Sequence, residues 1–225
     1  MPISRKVNLD FFKKWSHNMA YVLGFFAADG YITHNKRGAD FFSIQITDFD
    51  LLDKIRIVLG SNHKVGLREG KGKEKNLYRL QIGSKEICRD LRRLGYAENK
   101  TKSLFVPNVP RKYLADFVRG YFDGDGSVWV GNSHKERISP DPAMLLVFTS
   151  CSLGFLSSLK SRLAVVGLRG GSVVKNKRNY FRLSYSTLDA LKLYDFMYNS
   201  IHLRDDGLFL IRKKVIFERF LKMRS

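Results

Sequence analysis

Two closely spaced carboxylates stand within a strongly basic chain. Asp123 and Asp125 alternate with Gly124 and Gly126 in the segment FVRGYFDGDGSV at residues 117–128. Carboxylate oxygens are hard ligands that suit Mg²⁺, and bound metal ions can stabilise both the attacking and the leaving oxygen of a phosphodiester. These residue types at this spacing therefore indicate metal-dependent chemistry on a phosphate ester.

A related segment occurs earlier in the chain. MAYVLGFFAADGYIT at 19–33 and ADFVRGYFDGDGSVW at 115–129 share four residues at a constant spacing: Gly24 and Gly120, Phe26 and Phe122, Asp29 and Asp125, Gly30 and Gly126. A second match, YRLQI at 78–82 with FRLSY at 181–185, follows in the same order. Collinear matches predict a duplicated structural unit.

The residues before each aspartate predict two helices that pack closely. Small residues recur four positions apart on each: Gly24 and Ala28, then Gly120 and Gly124. Small residues on one helical stripe allow close approach of two backbones, which would bring Asp29 and Asp125 together. Two carboxylates at two helix C-termini repel each other and need a cation. Divalent metal would supply that charge.

The motif has two other interpretations. An Asp-Gly pair after a helix can be only a helix stop and a hairpin turn, in which glycine takes a positive φ. That alternative stays open, although the occurrence of the Asp-Gly motif twice in the chain makes a simple helix stop less favoured than a single occurrence would. A calcium-binding loop starting at Asp123 would need Glu at its twelfth position, where His134 stands, and the fifth position is Ser127. The calcium loop is therefore disfavoured.

The hydrophobic pattern predicts an α+β fold with antiparallel sheets. Each half reads as a helix ending at Asp-Gly, a hairpin, a helix, a second hairpin and a closing helix, which is an αββαββα order. Pro107 and Pro110 mark a connector, so the expected units are 1–107 and 108–225. The expected strands lie near 31–36, 40–47, 63–69 and 76–82, then 127–133, 143–150, 172–177 and 179–185. The expected helices lie near 49–59 and 84–94, then 153–165 and 187–199.

Composition indicates an acidic macromolecular partner. The 225 residues are 44% hydrophobic and carry 40 Lys and Arg against 21 Asp and Glu, a formal charge of +19. Such a surface favours nucleic acid, because bound phosphates release their counterions. Ribosomal proteins share this charge. Neither the two cysteines nor the five histidines have ligand spacing, and no apolar run resembles a signal peptide or a membrane span, so an intracellular protein of a bacterial cytoplasm or an organelle is expected.

Alternation on the predicted strands gives each sheet a polar face. In FFSIQIT, Ile44 and Ile46 point away from Gln45 and Thr47. The segments around Arg79 and Arg182 alternate in the same way. Ordinary solvated strand positions would look the same, so this pattern alone leaves nucleic-acid contact open.

The motifs VLGFFAADG at 22–30 and VRGYFDGDG at 118–126 resemble the two motifs of single-chain LAGLIDADG homing endonucleases. The resemblance covers nearly the whole chain. It implies two pseudosymmetric units with saddle-shaped sheets in the DNA major groove, motif helices packed at their interface, and a monomer. One position departs from the pattern, because Ala27 stands where the second motif has Asp123.

The resemblance implies a site-specific double-strand DNA endonuclease. It would hydrolyse phosphodiesters with Mg²⁺ or Mn²⁺, leave short 3′ overhangs and recognise a long asymmetric target. Two alternatives share the fold: an intron maturase that binds intron RNA, and a DNA-binding regulator without catalysis. Ala27 gives the silent regulator slight support.

The resemblance also assigns expected roles to individual residues. Catalysis would involve Asp29, Asp125, Lys100 and Lys213, with the two lysines polarising water or stabilising the leaving charge. The metal ligands would be the carboxylates of Asp29 and Asp125 and the carbonyls of Ala28 and Gly124, with Asp48 and Ser150 close to them. The expected DNA contacts are Ser43, Gln45, Thr47, Arg68, Arg79, Gln81, Lys175, Lys177, Arg178, Arg182 and Ser184.

Overall fold

The computed structural model describes residues 5–98, 104–132, 142–177, 179–199 and 207–224. The chain divides into two compact units, each of which packs mainly on itself. The first unit is Met1–Lys100 with Pro107–Gly120, and the second unit is Thr101–Val106 with Tyr121–Ser225. This division falls inside a helix, and a domain boundary near residue 107 stays a prediction.

The first unit contains a four-stranded antiparallel sheet with the order β1-β2-β4-β3. Its elements are α1 (His17–Asp29), β1 (Gly30–His34), β2 (Asp40–Ile46), α2 (Phe49–Val58), β3 (Gly66–Arg68), β4 (Leu77–Gly83) and α3 (Lys85–Arg93). Serine side chains begin two of the helices: Ser16 Oγ accepts a hydrogen bond from Met19 N–H at 3.1 Å, and Ser84 Oγ accepts one from Ile87 N–H at 3.2 Å. Such caps satisfy main-chain donors that a helix start leaves open.

The same order of elements follows in the second half of the chain. A short 3₁₀ helix (Arg111–Tyr113) leads into α4 (Leu114–Asp125), β5 (Gly126–Asn132), β6 (Pro142–Ser150), α5 (Leu153–Val165), β7 (Ser172–Lys175), β8 (Phe181–Ser186), α6 (Thr187–Tyr198) and α7 (Ile211–Arg224). The second sheet is also antiparallel, with the order β5-β6-β8-β7. The predicted α+β class and the αββαββα order are confirmed, and α7 is an additional helix.

An aromatic side chain of each motif helix anchors that helix to its sheet. The ring of Phe26 stacks on that of Phe42 with centroids 5.2 Å apart, and the ring of Phe122 meets that of Phe148 edge-on at 5.9 Å. All four side chains are fully buried. Because these rings lie one turn before Asp29 and Asp125, the packing fixes where each helix ends relative to the first strand of its sheet.

Within the first unit, the early turns of α4 pack closely against α1. A Cβ atom at Gly120 would lie 2.1 Å from the carbonyl oxygen of Tyr21 and 2.9 Å from the amide nitrogen of Phe25. At the other end of this packed region, Asp116 carboxylate oxygens lie 2.7 Å from His17 Nδ1 and 2.7 Å from Arg119 Nη2. Gly120 therefore acts as the close-packing residue predicted from its spacing.

The helices of the described ranges lack the features of a membrane span. None of them combines the length and the apolar character that a membrane-spanning helix needs.

Candidate active site and nucleic-acid interface

Asp29 and Asp125 occupy the same local position in their units. Each is the last residue of its motif helix, and the glycine that follows begins the first strand of the sheet. Asp29 is half-buried and Asp125 is exposed. Each carboxylate is therefore held by a rigid helix–strand junction and is open to solvent, as a metal ligand needs to be.

The glycine after each aspartate is required by packing. A Cβ at Gly30 would lie 2.0 Å from the Phe26 ring, and one at Gly126 would lie 2.2 Å from the Phe122 ring. Gly30 is extended, with φ −87° and ψ 155°, and neither glycine has a positive φ. The helix-stop interpretation, which relied on a positive φ, is therefore wrong in its mechanism. Glycine is needed because the anchoring ring occupies the space of a side chain.

Lys213 holds the C-terminal end of α4. Its ammonium is buried and donates hydrogen bonds to carbonyl oxygens of Phe122 at 2.6 Å, Asp123 at 2.8 Å, Gly124 at 3.3 Å and Gly126 at 2.6 Å. Carbonyls at a helix end lack intrahelical donors and carry partial negative charge, so a buried cation is favourable there. Lys213 lies in α7, the helix that follows the predicted closing helix of the second unit, and its catalytic role stays a prediction.

Asp123 connects the same helix end to the segment before α7. Its Oδ2 accepts a hydrogen bond from the backbone N–H of Leu210 at 2.9 Å, and its Oδ1 lies 3.5 Å from the hydroxyl of Tyr198. The side chain is buried, as is Ala27 at the corresponding position of the first motif. Asp123 therefore has a structural partner in its own unit, and Ala27 replaces a residue that faces the interior.

The motif ends offer oxygen atoms of the kind that divalent metal prefers. Ala28 and Gly124 are half-buried, and the Gly124 carbonyl also accepts from Lys213. Carboxylate and carbonyl oxygens are the donor set of Mg²⁺ and Mn²⁺ sites, so the residues fit such an ion. Among the described residues, no group of three or more His, Cys, Asp or Glu side chains could hold a metal ion.

The remaining residues predicted near the motifs differ in their surroundings. Asp48 is half-buried at the N-cap of α2 and accepts a hydrogen bond from Thr47 Oγ1 at 3.3 Å. Ser150 is buried, and its Oγ accepts from Ser152 N–H at 3.1 Å, which forms a local turn. Lys100 lies outside the described residues.

The sheet of the first unit has one face covered by core residues and one polar face. Gln45 lies directly opposite Arg79 across β2 and β4, and Ser43 lies opposite Gln81. A recess of about 240 Å³ is lined by Gln45 of β2 and by residues of β3 and β4: Gly66, Leu67, Arg68, Leu77 and Arg79. Five of the predicted DNA-binding residues therefore lie in this sheet, and a sixth, Thr47, is exposed directly after β2.

One of those six residues is not accessible to a ligand. Ser43 is fully buried in the middle of the sheet, and within the described ranges its Oγ has no hydrogen-bond partner. The alternation that placed it on the polar face agrees with its register opposite Gln81, but its side chain has no exposed surface. Its contact with DNA stays a prediction.

The residues predicted to contact DNA from the second sheet do not all lie on the same face. Arg182 is exposed opposite Thr149, and Ser184 is half-buried opposite Val147. Lys175 pairs with Phe181, so by strand alternation it lies on the other face from Arg182. Lys177 is exposed in the β7–β8 turn. Arg178 lies outside the described residues.

Sequence reasoning missed the apolar residues on the same face of the second sheet. Trp129, Leu145 and Val174 are 52%, 39% and 58% exposed. The segment SVWVGN alternates as a half-buried strand should, and this pattern could have indicated that Trp129 faces outward. Charge alone gives no signal for such a surface.

The model of a family described as LAGLIDADG-like domain matches residues 16–95 and 112–221. The two matches include both motif helices and both sheets. This chain therefore belongs to that family, as its two motifs indicated.

Individual proteins are similar to this chain in sequence or in fold. An uncharacterized protein of Methanocaldococcus jannaschii is 27% identical over 187 residues, which are 79% of this chain and 64% of that protein. The meganuclease I-AabMI, solved bound to uncleaved DNA, aligns with a TM-score of 0.58 at 17% identity, over 90% of this chain and 89% of that one. The nuclease I-SmaMI, solved with uncleaved DNA target and calcium ions, gives 0.56 at 14% identity, over 93% and 90%. The chain thus spans less than two thirds of the first curated relative.

Proposed function

We propose that this protein is a site-specific double-strand DNA endonuclease that requires a divalent metal ion and leaves short 3′ overhangs. One observation carries the proposal: two motif helices each end on an accessible aspartate, and each leads directly into a four-stranded antiparallel sheet with an exposed outer face. DNA-bound relatives of this fold support the choice of substrate.

Each sheet would contact part of one asymmetric target. The formal charge of +19 favours a polyanionic partner. Both sheets carry exposed arginines, whose guanidinium groups can donate hydrogen bonds to guanine edges in the major groove. The first sheet would use Gln45, Thr47, Arg68, Arg79 and Gln81, with Ser43 beneath them. The second would use Arg182 and Ser184, with Lys175, Lys177 and Arg178 binding phosphate.

Each aspartate would serve the hydrolysis of one strand. Asp29 and Asp125 would hold Mg²⁺ or Mn²⁺ with the carbonyls of Ala28 and Gly124, and Asp48 and Ser150 would lie nearby. The ion would supply charge stabilisation at the reacting phosphate. Lys213 would keep the end of α4 in place, and Lys100 would stabilise charge in the first site.

Selection from a randomised duplex library tests the proposal. The full chain is incubated with the library in Mg²⁺, the cleaved molecules are captured through their overhangs, and the target is sequenced. The wild type, D29N and D125N are then compared on that target, with gel-shift binding in Ca²⁺ as a second readout. D50N is the matched control, because Asp50 is an exposed acid in the first turn of α2.

We expect D29N and D125N each to lower double-strand cleavage by about 100-fold or more while binding stays within a few-fold. D50N should cut normally. Normal cutting of both strands by either variant would refute the site. Tight binding with no cutting by the wild type would indicate a silent regulator, and a preference for intron RNA over duplex DNA would indicate a maturase.

A further inference from the structure

The outer faces of the two sheets carry different chemistry at corresponding positions. Strand register defines the correspondence, because Gln45 pairs with Arg79 where Thr149 pairs with Arg182. Following the register along each strand gives these corresponding pairs: Thr33 and Trp129, Phe41 and Leu145, Ser43 and Val147, Gln45 and Thr149, Gln81 and Ser184, Gly66 and Val174. The outer face of the first sheet is therefore mainly polar, whereas the outer face of the second sheet is more apolar.

The outer face of the first sheet can form several directed hydrogen bonds. Arg68 and Arg79 are exposed, Gln45 and Gln81 are half-buried, and three of these four line the recess. Arginine pairs with the O6 and N7 atoms of guanine, and glutamine pairs with the N6 and N7 atoms of adenine. This surface is suited to purine edges.

The outer face of the second sheet has few such groups. Trp129 and Leu145 lie directly opposite each other on β5 and β6, and both are exposed, whereas Val147 beside them is buried. Val174 lies opposite Arg182 at the other edge of the sheet. Between the apolar side chains there are hydroxyl groups, which can bond to any base: Ser127, Thr149, Ser172, Ser184 and Ser186. Arg182 is the exposed cation of this face among the described strand residues.

Trp129 is held flat against its own strand. A Cβ at Gly131 would lie 2.2 Å from the indole Cζ2 atom and 2.5 Å from Cη2. The indole therefore covers the bare backbone at Gly131 and exposes its other side beside Leu145. A rigid apolar platform of this kind loses little side-chain entropy on binding.

Charge identifies the occupant of this surface. An exposed apolar patch normally marks a binding site. A chain with a formal charge of +19 attracts a polyanion, and Arg182 and Lys177 are exposed on the second sheet and its turn. Of the groups in the DNA major groove, the thymine C5-methyl is the apolar one, and apolar side chains pack on it.

We propose that the second sheet recognises a thymine-rich half-site by packing the exposed side chains of Trp129, Leu145 and Val174 against thymine methyl groups. The first sheet recognises its half-site through hydrogen bonds to purine edges. This inference rests on the proposed function, because it assumes duplex DNA as substrate. It specifies a target in which the two halves differ in chemistry as well as in sequence.

Uracil substitution isolates the methyl group, because uracil keeps every hydrogen-bonding atom of thymine. Target duplexes selected by the full chain are synthesised with uracil replacing thymine in one half or in the other. Binding is measured by gel shift in Ca²⁺ without cleavage. The selection is repeated with R79A and with W129A. The half-site in which R79A loses base preference is assigned to the first unit, and the half-site in which W129A loses base preference is assigned to the second.

We expect uracil in the second-unit half to weaken binding about fourfold for each packed methyl group that is removed, since one buried methylene-sized group is worth about 0.8 kcal/mol. The same substitution in the first-unit half should change binding less than twofold. W129A and L145A should remove the sensitivity to uracil. L188A is the matched control, because Leu188 is a 72% exposed leucine on α6.

Each other outcome is decisive. If a target is selected and cut but uracil has equal effects in both halves, the inference is wrong and the proposed function stands. If the second-unit half is rich in G·C pairs, the inference is also wrong. If no duplex is selected by the full chain, the proposed function fails, and the half-site inference fails with it. A destabilised W129A does not obscure the result, since L145A and the uracil duplexes test the same packing.

Discussion

The ammonium of Lys213 lies 2.6 Å from the carbonyl oxygen of Gly126, the residue directly after Asp125. The same nitrogen reaches back to the carbonyl of Phe122, so a single side chain of α7 spans the end of α4 and the start of β5. Its ammonium also lies 5.0 Å from the centre of the Phe122 ring. The position of Asp125 therefore depends on a residue that is distant in sequence.

Removing this ammonium should destabilise the second unit. K213M removes the buried ammonium that donates to four carbonyl oxygens, and we expect a loss of about 2–4 kcal/mol in the free energy of unfolding. Urea titration at neutral pH measures this loss, and cleavage should fall with it.

The neighbouring lysine provides the control. Lys214 is partly exposed and makes an ion pair with Glu218 at 3.5 Å, so K214M should cost less than about 1 kcal/mol. If K213M lost cleavage while keeping the unfolding free energy of the wild type, Lys213 would act in the chemistry and not in positioning.

The close approach of two helices at Gly120 predicts an unusual response to alanine. Alanine normally stabilises a helix interior by up to about 1 kcal/mol over glycine. At Gly120 the added methyl would collide with the backbone at Tyr21 and Phe25, so we expect G120A to lose about 2–4 kcal/mol of unfolding free energy. Thermal or urea unfolding followed by far-UV circular dichroism measures the change.

Gly154 is the matched control for this substitution. It is exposed in the first turn of α5, and its nearest neighbour to an added Cβ is Ser152 Oγ at 3.7 Å. G154A should be neutral or slightly stabilising. Equal stability of G120A and G154A would show that the two helices can separate without cost.

The sequence predicted most of the fold because its local signals agree with the tertiary structure. The helix 153–165 was predicted to the residue, and the other elements differ by a few residues at their ends. The alternation in FFSIQIT correctly predicted that Ile44 is buried and that Gln45 faces outward. These signals are local, so one chain segment suffices to read them.

The sequence did not predict α7 or the hydrogen bonds of Lys213, and both depend on distant residues. The segment IRKKVIFERFLKMR reads as a basic run with scattered aromatics. In the structure Phe217 and Phe220 are buried. Lys213 is buried as well, because four carbonyl oxygens accept hydrogen bonds from its ammonium. A buried lysine cannot be recognised from sequence spacing, since its acceptors come from the end of another helix.

The two cysteines should differ in reactivity. Cys88 is fully buried in α3, and burial raises the pKa of its thiol to about 12, whereas Cys151 is exposed. Because the thiolate is the reactive form, an aromatic disulfide reagent at pH 8 should label one thiol quickly in the native protein and two in urea. C151S should abolish the fast reaction. Rapid labelling of C151S would show that α3 opens readily in the native state.

Asp40 should make the first unit sensitive to acid. The Arg92 guanidinium, 2.7 Å away, and then the His34 ring, also 2.7 Å away, lower the pKa of this carboxyl to about 2. A lowered pKa stabilises the folded state above the unfolded pKa near 4, and this contribution disappears as the pH falls towards 2. With partial solvent screening, D40N should cost roughly 1–2 kcal/mol at pH 7. Urea titrations should show the difference from wild type shrinking between pH 4 and pH 3, whereas E74Q, a change at an exposed loop residue, should show no such trend. A constant difference down to pH 3 would mean that Asp40 contributes through its packing and not through its charge.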